Sequence, residues 1–198
     1  GMNLNLQPEA QKTSTFVGSK VCQECHEENF ESWKGSMHSK MIQDIKEDPS
    51  VVVADFSKLP EDADFTLAQA VYAIGSKFKQ RYMIPATINR KEDFRLGNYQ
   101  WNTQNKNWQQ FKPYKYWYKD SYPHDNQQFP TSTTCDGCHF TGYMSTQKRV
   151  ERAIACESCH GPGSAHASNP DSPIFKASLV DPMRTNEVCL QCHMRNRD

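Results

Sequence analysis

Eight cysteines and four of the histidines form one motif that occurs four times in this 198-residue chain. In each copy two cysteines stand three positions apart, and a histidine follows the second cysteine directly. Two cysteines at this spacing can form thioether bonds with the two vinyl groups of one haem, and the adjacent histidine is then placed to ligate the iron. The pattern predicts four covalently bound c-type haems. In chain order the boxes are box 1, Cys22, Cys25 and His26; box 2, Cys135, Cys138 and His139; box 3, Cys156, Cys159 and His160; and box 4, Cys189, Cys192 and His193.

Three other interpretations explain the cysteines less completely. The gap from Cys138 to Cys156 falls within the range of structural zinc ribbons. Four disulfides in an extracellular protein are compatible with the even number of cysteines, and a single CxxC pair is typical of redox catalysts. None of the three accounts for a histidine after the second cysteine of every pair, so the repeated box favours haem.

Seven histidines are present, so three lie outside the boxes: His38, His124 and His166. We predict that these three are distal iron ligands, which gives at most three haems with two histidines each. A helical connection from His26 to His38 would rise about 18 Å, so His38 must serve a haem other than that of box 1. One iron is then short of a histidine. It either takes a methionine or keeps an open sixth position; the candidate methionines are Met37, Met41, Met83, Met144, Met183 and Met194.

The composition indicates a chain whose core depends on its cofactor. Hydrophobic residues make up 36% of the chain, less than in a typical globular domain, so we expect the haem-free chain to be largely disordered. Lys plus Arg and Asp plus Glu number 23 each, which leaves no basic field for nucleic acid. Haem propionates would bring the net charge to roughly minus four in the oxidised protein, which favours redox protein partners with basic docking patches. The oligomeric state is left open.

The sequence also bears on location and domain organisation. It contains no run of about 18 apolar residues, so we predict no membrane span. Covalent haem attachment takes place outside the cytoplasm, so we expect a periplasmic, extracellular or cell-surface protein whose export signal has been removed. Residues 1–15 are predicted to be a flexible tail, and residues 16–198 a single tetrahaem cytochrome domain.

Short helices are predicted around the boxes, at residues 20–34 and 185–193, with further helical segments at 37–49 and 65–73. Partial two-residue alternation after Phe78 predicts an antiparallel meander, and an aromatic segment follows it; together they form an insert at about 65–122. The predicted fold is therefore mainly α and loop-rich, with a small antiparallel β insert and a core built around four haems.

Several stretches resemble the tetrahaem cytochrome c-554 family, and also the N-terminal block of longer multihaem cytochromes. These stretches are Phe16-x-Gly18 before box 1, Trp33-Lys34 and His38 after it, Cys138-His139-x-x-Gly142, residues 156–163 (Cys-Glu-Ser-Cys-His-Gly-Pro-Gly), and the closing Cys192-His193. The resemblance implies a mainly helical fold with haems in closely stacked pairs, three of them bis-histidine and one five-coordinate.

By motif position, the resemblance implies that His38 and His166 are distal ligands and that the haem of box 2 has the open face. The compact members of the family carry a further ligand histidine in a C-terminal extension, and we expect His124 to replace it here. We therefore predict electron transfer between stacked low-potential haems. One alternative is a haem enzyme acting on nitric oxide, hydroxylamine or nitrite at the five-coordinate haem, and a second is a subunit of a polymeric haem wire.

Overall fold

The structure is a computed structural model that describes residues 13–88, 90–111, 130–174 and 182–193. The chain divides into two compact units, of which unit 1 contains residues 1–39 and 137–198 and unit 2 contains residues 40–136. Most of the predicted tail, the aromatic segment at 114–122 and His124 lie outside the described residues. In the part of the chain that is described, no helix is both long and apolar enough to cross a bilayer.

The first segment of unit 1 contains two helices, α1 (Ser19–Gln23) and α2 (Glu27–Gly35). Box 1 connects them, because the amide of His26 donates to the carbonyl of Cys22 at 2.9 Å and so continues the helical turn. Glu27 and Glu28 occupy the first turn of α2, where acidic side chains favour the positive end of the helix dipole. The helix predicted over residues 20–34 is thus two helices, with Cys22 in α1 and with Cys25 and His26 between α1 and α2.

Unit 2 contains the main sheet. The described residues form six antiparallel strands: β1 (Ile42–Asp44), β2 (Tyr72–Ile74), β3 (Lys79–Ile88), β4 (Lys91–Leu96), β5 (Tyr99–Asn102) and β6 (Asn107–Gln110). Their order is β1-β2-β3-β5-β6, and β4 also pairs with β3. The ten-residue β3 is central because its start pairs with β5, its middle with β2 and its end with β4. A short helix, α3 (Thr131–Thr134), precedes box 2.

One face of this sheet carries an aromatic core. Tyr82 is fully buried and Phe65 is 2% exposed, and both contact Phe56 and Trp108 with ring centres 4.9–6.2 Å apart. Such contacts add to the free energy gained by removing large apolar surfaces from water. Unit 2 therefore has an apolar core made of its own side chains. Its buried members are Ile45, Val51, Phe65, Ala70, Ala73, Tyr82, Ile84 and Tyr99.

The second segment of unit 1 is a series of short helices with one small ladder. The helices are α4 (Asp136–His139), which begins at the last residue of unit 2, α5 (Tyr143–Thr146), α6 (Cys156–His160), α7 (Ser164–Ser168) and α8 (Pro182–His193). The ladder pairs β7 (Phe140–Thr141) with β8 (Glu151–Arg152). Boxes 3 and 4 lie in α6 and at the end of α8, in agreement with the helix predicted at 185–193.

The prediction of a mainly α fold is wrong. The structure is 36% helical and 23% strand, and its antiparallel sheet of six strands is larger than the small insert that was expected. The predicted helix at 37–49 gives way to β1, because Ile42 pairs with Ile74 of β2. The predicted helix at 65–73 becomes a 3-10 turn, Leu67–Gln69, that leads into β2. In both places a short apolar run fits a helix or a strand, and pairing across the sheet decides the outcome.

Candidate haem-binding site

Each box lies in a helical turn. In such a turn the side chains at positions i, i+3 and i+4 share one face. The two cysteines and the histidine of a box stand at these positions, so local backbone geometry directs all three toward one side. Cys159 and His160 illustrate this in α6, which contains all of box 3.

The ring of His26 in box 1 faces the ring of His166. Their ring centres are 6.3 Å apart and their planes are within 12° of parallel. Two imidazoles that bind one metal from opposite sides, each through a bond of about 2.0 Å with about 1.1 Å from nitrogen to ring centre, have centres about 6.2 Å apart. The separation therefore fits one iron between the two rings.

His38 forms a second pair with His193 of box 4. Their ring centres are 6.2 Å apart, with an angle of 56° between the planes. The separation again matches two axial ligands of one iron, and haem iron requires only two protein ligands because the porphyrin supplies the other four. The two pairs lie within unit 1. They fit the predicted role of His38 and His166 as distal ligands, and they indicate which box each would serve.

His166 has the hydrogen bond that orients a ligating imidazole. Its Nδ1 lies 3.0 Å from the carbonyl oxygen of Ser172. A carbonyl can only accept, so Nδ1 carries the proton and Nε2 is left as the atom available to a metal. Ser172 follows the short helix α7 that carries His166, so one loop fixes both the position and the tautomer of the ring.

Boxes 2 and 3 have fewer candidate ligands than boxes 1 and 4. His139 and His160 are their proximal candidates, and both are partly buried. His124, the last histidine outside the boxes, lies outside the described residues, as does Met194. Of the other methionines, Met83 is fully buried in unit 2, whereas Met37, Met144 and Met183 are exposed and Met41 is partly buried. If boxes 2 and 3 each hold a haem, one further histidine remains for two irons, and a methionine or an open sixth position at one of them stays a prediction.

Glu157, between the two cysteines of box 3, organises the backbone around boxes 1 and 3. Its side chain is 3% exposed. Its carboxylate accepts hydrogen bonds from the amides of Val17 at 3.0 Å, Gly18 at 2.8 Å and Gly163 at 2.8 Å. Because Gly18 is the N-cap of α1, this acid caps the helix that carries Cys22 from a distant part of the chain. This role could not be found from the sequence, because boxes 1 and 2 also contain an acid, Glu24 and Asp136, and nothing singles out Glu157.

Glu151 of β8 extends the same capping. Its carboxylate accepts from both the amide and the hydroxyl of Ser19, each at 3.1 Å. Burial raises the pKa of Glu151, and the bonds from Ser19 act in the opposite direction. Three successive amides at the start of α1 therefore donate to two carboxylates.

The segment before box 3 also holds α2 and His38 in place. The indole Nε1 of Trp33 donates to the carbonyl of Ile154 at 2.8 Å, and the amide of Ile154 donates to the carbonyl of His38 at 3.3 Å. Thr141, after box 2, lies on the same segment: its hydroxyl donates to the carbonyl of Ala153 and accepts from the amide of Ala155, both at 2.9 Å. These hydrogen bonds connect the segments that follow boxes 1 and 2 to the segment that precedes box 3, all within unit 1.

The first cysteines of boxes 1 and 3 are neighbours. Burial raises the pKa of the Cys22 thiol to about 11, and the nearby Cys156 acts in the same direction. The thiols remain separate, since all eight cysteines are free. The attachment points of two different boxes therefore lie side by side.

The other interpretations of the cysteines are not supported by this geometry. No cysteine forms a disulfide. Among the described residues, no three side chains of His, Cys, Asp or Glu converge as a zinc site would require. The two histidine pairs would instead suit a metal that is already held in a macrocycle.

Comparison with known proteins agrees with the residue pattern. The family profile described as cytochrome c554 and c-prime matches residues 21–74 and 94–161. The matched residues include boxes 1, 2 and 3 together with His38. No curated protein matches the chain.

Two solved structures share the fold. The outer cell wall cytochrome OcwA superposes with a TM-score of 0.69 and 23% identity, over 90% of this chain and 37% of that one. The undecahaem cytochrome from the S-layer of Carboxydothermus ferrireducens superposes with a TM-score of 0.61 and 21% identity, over 95% of this chain and 26% of that one. The chain therefore spans well under half the length of either protein.

Proposed function

The chain belongs to the cytochrome c554 and c-prime family, and we propose that it is an extracytoplasmic electron-transfer protein with four covalently bound haems. Membership in a multihaem cytochrome family supports c-type haem and electron transfer. The observation that carries the proposal is the spacing of the two histidine pairs, His26 with His166 and His38 with His193, each of which fits one iron.

The eight cysteines of the boxes would hold the haems through thioether bonds, and His26, His139, His160 and His193 would be the proximal ligands. When bound, haem supplies one-electron chemistry at its iron. The protein supplies position and tuning. His26 with His166 and His38 with His193 would each close one iron to small molecules, which would suit electron transfer. Two histidines would also favour a lower reduction potential than histidine with methionine.

The adjacency of Cys22 and Cys156 supports close spacing of the haems of boxes 1 and 3. Both thiols are attachment points, and the buried Glu157 and Glu151 fix the backbone on which Cys22 is carried. A fixed, short separation is what electron transfer between haems demands of a protein scaffold. These carboxylates would act as positioning residues for the haem pair.

We place the protein in the periplasm or at the cell surface, with redox proteins as partners. Attachment of haem to CxxCH boxes outside the cytoplasm supports this location. The two proteins of similar fold are described as outer cell wall and S-layer cytochromes. This chain spans only 37% and 26% of those two proteins, so their donors and acceptors are not assigned to it.

Haem counting and electron paramagnetic resonance on one sample test the proposal. We expect four haems per chain by pyridine haemochrome absorbance and mass spectrometry, and we expect the haem to stay on the denatured chain, as thioether attachment requires. The proposal would be contradicted if haem left the denatured chain. It would also be contradicted by fewer than four haems in protein that was produced together with the enzymes that attach haem.

A second candidate function is supported by the histidine count. Two pairs use four of the seven histidines, so the irons of boxes 2 and 3 have His139, His160 and one further histidine between them. An iron left without a sixth ligand would bind a small nitrogen compound and give a haem oxidoreductase. One high-spin ferric haem in four, with a Soret shift on adding nitric oxide or hydroxylamine, would support this enzyme; low-spin signals from all four haems would exclude it.

A further inference from the structure

The carboxylate of Glu157 in box 3 contacts the backbone that leads to both members of the His26 and His166 pair. Its Oε2 accepts a hydrogen bond from the amide of Gly18 at 2.8 Å, and its Oε1 accepts from the amide of Gly163 at 2.8 Å. Gly18 is the N-cap of α1, which leads into His26. Gly163 is the N-cap of α7, which contains His166. One carboxylate therefore joins the segment of the proximal histidine to the helix of the distal one.

The two segments also lie close together at this point. The Oε1 atom that accepts from Gly163 accepts from the amide of Val17 as well, at 3.0 Å. A Cβ added at Gly163 would lie 3.3 Å from that Oε1 and 3.5 Å from the Cγ2 of Val17. The side chain of Glu157 is 3% exposed, so water competes little for these charge-assisted hydrogen bonds. The connection between the two segments is therefore short and held from several directions.

A second set of hydrogen bonds joins the same two segments. The amide of Thr15 donates to the Oγ of Ser164 at 2.8 Å, and the amide of Ser164 donates to the carbonyl of Thr15 at 3.1 Å. Ser164 is the first residue of α7. The bond to its Oγ is exposed to water, whereas the bond from Gly163 to Glu157 is buried. We therefore expect Glu157 to contribute more to the connection than Ser164. All of these residues belong to unit 1.

The quantity that this connection controls is the separation of the two imidazole rings. A haem at box 1 would be attached through Cys22 and Cys25, so His26 would stay beside its iron through local geometry alone. His166 has no covalent link to that haem, and its distance from the iron depends on where α7 lies. An iron–imidazole bond is about 2.0 Å long, so a shift of α7 by about 1 Å would weaken or break it.

We propose that Glu157 is a positioning residue for the axial ligands of the box 1 haem, so that a side chain of box 3 keeps the iron of another box six-coordinate. The supporting observation is the shared carboxylate, whose buried oxygens accept from the amides that precede both ligand-bearing segments. This inference rests on the proposed function, because it requires haem at box 1.

Electron paramagnetic resonance of the oxidised holoprotein tests the proposal. H166A identifies the low-spin signal of the box 1 haem, and H38A identifies that of the box 4 haem. In E157Q the box 1 signal should change its g-values or convert to high spin, by up to about one haem per chain, while the box 4 signal stays in place. Carbon monoxide titration of the reduced variant should detect up to about one additional binding haem. The matched control is E24Q, which removes an exposed carboxylate from box 1 itself and should leave both signals unchanged.

Ser164→Ala provides an independent variant for the case in which E157Q does not fold. It keeps Glu157 and removes the side-chain acceptor of the Thr15 amide, so it should change the box 1 signal in the same way but less. An unchanged box 1 signal in every variant that folds would overturn the inference. So would equal changes in the box 1 and box 4 signals of E157Q, as general loosening of unit 1 would produce. Haem counting precedes each spectrum, so absence of haem at box 1 would be recognised as failure of the proposed function instead.

Discussion

The imidazole rings of His26 and His166 face each other at 6.3 Å with nearly parallel planes, although one lies in box 1 and the other follows box 3. A second pair, His38 and His193, repeats the spacing at 6.2 Å. Distances of this size fit a metal between the two rings of each pair. Each pair joins a proximal histidine to a distal one from a remote part of the chain.

Replacing the distal histidines tests the two pairs. H166A and H38A should each add one high-spin ferric haem to the electron paramagnetic resonance spectrum of the oxidised protein, because each removes one axial ligand. The double variant should add two, since the pairs belong to different irons. H38M serves as the control, because methionine ligates iron and should restore a low-spin haem with a raised potential. A double variant with only one added high-spin haem would show that both histidines serve one iron.

Glu157→Gln should destabilise unit 1. In the variant, the glutamine side chain places an NH₂ group against backbone amides that donate to the Glu157 carboxylate in the unaltered protein. We expect the loss of these charge-assisted hydrogen bonds to lower the free energy of unfolding by about 2–4 kcal/mol. Guanidinium unfolding followed by circular dichroism in the haem absorption band measures it. The control E31Q alters an acid of α2 whose side chain is 52% exposed and should change stability by less than about 0.5 kcal/mol. Equal midpoints for the two variants would argue against the capping role.

Gly142→Ala should destabilise the turn after box 2 for two separable reasons. Gly142 has φ of +79°, and an added Cβ would lie 2.8 Å from the Cγ2 of Val150. We expect a cost of about 1–3 kcal/mol by thermal or chemical unfolding. Because Val150 is 41% exposed, V150A alone should have little effect. The double variant should recover the steric part of the loss but not the backbone part; no recovery would assign the whole cost to φ.

The sheet of unit 2 should form without haem. Chain produced without haem attachment is expected to show β-sheet circular dichroism and a cooperative transition, because the core around Tyr82 consists of unit 2 side chains. F65A should abolish or strongly weaken that transition, since loss of a buried phenylalanine costs about 3–5 kcal/mol. F78A is the matched control, because Phe78 is 61% exposed. A haem-free chain without any cooperative transition would show that unit 2 also depends on haem, as its composition suggested.

The fold was predictable where the signal is local. The helices at box 1 and box 4 could be predicted because the apolar spacing that indicates them lies within one or two helical turns. The extent of the sheet was not predictable, because β1 is only three residues long and exists through its pairing with β2.

The sequence by itself determined the chemistry of the boxes, because two cysteines and a histidine at i, i+3 and i+4 share a face in any helical turn, whatever surrounds it. It also determined that seven histidines are too few for eight axial positions. Only the tertiary structure decided that His166 faces His26, that His38 faces His193, and that Glu157 caps the helix of Cys22. These relationships join residues more than a hundred positions apart, and such proximity arises from packing of the whole unit, which local spacing does not encode.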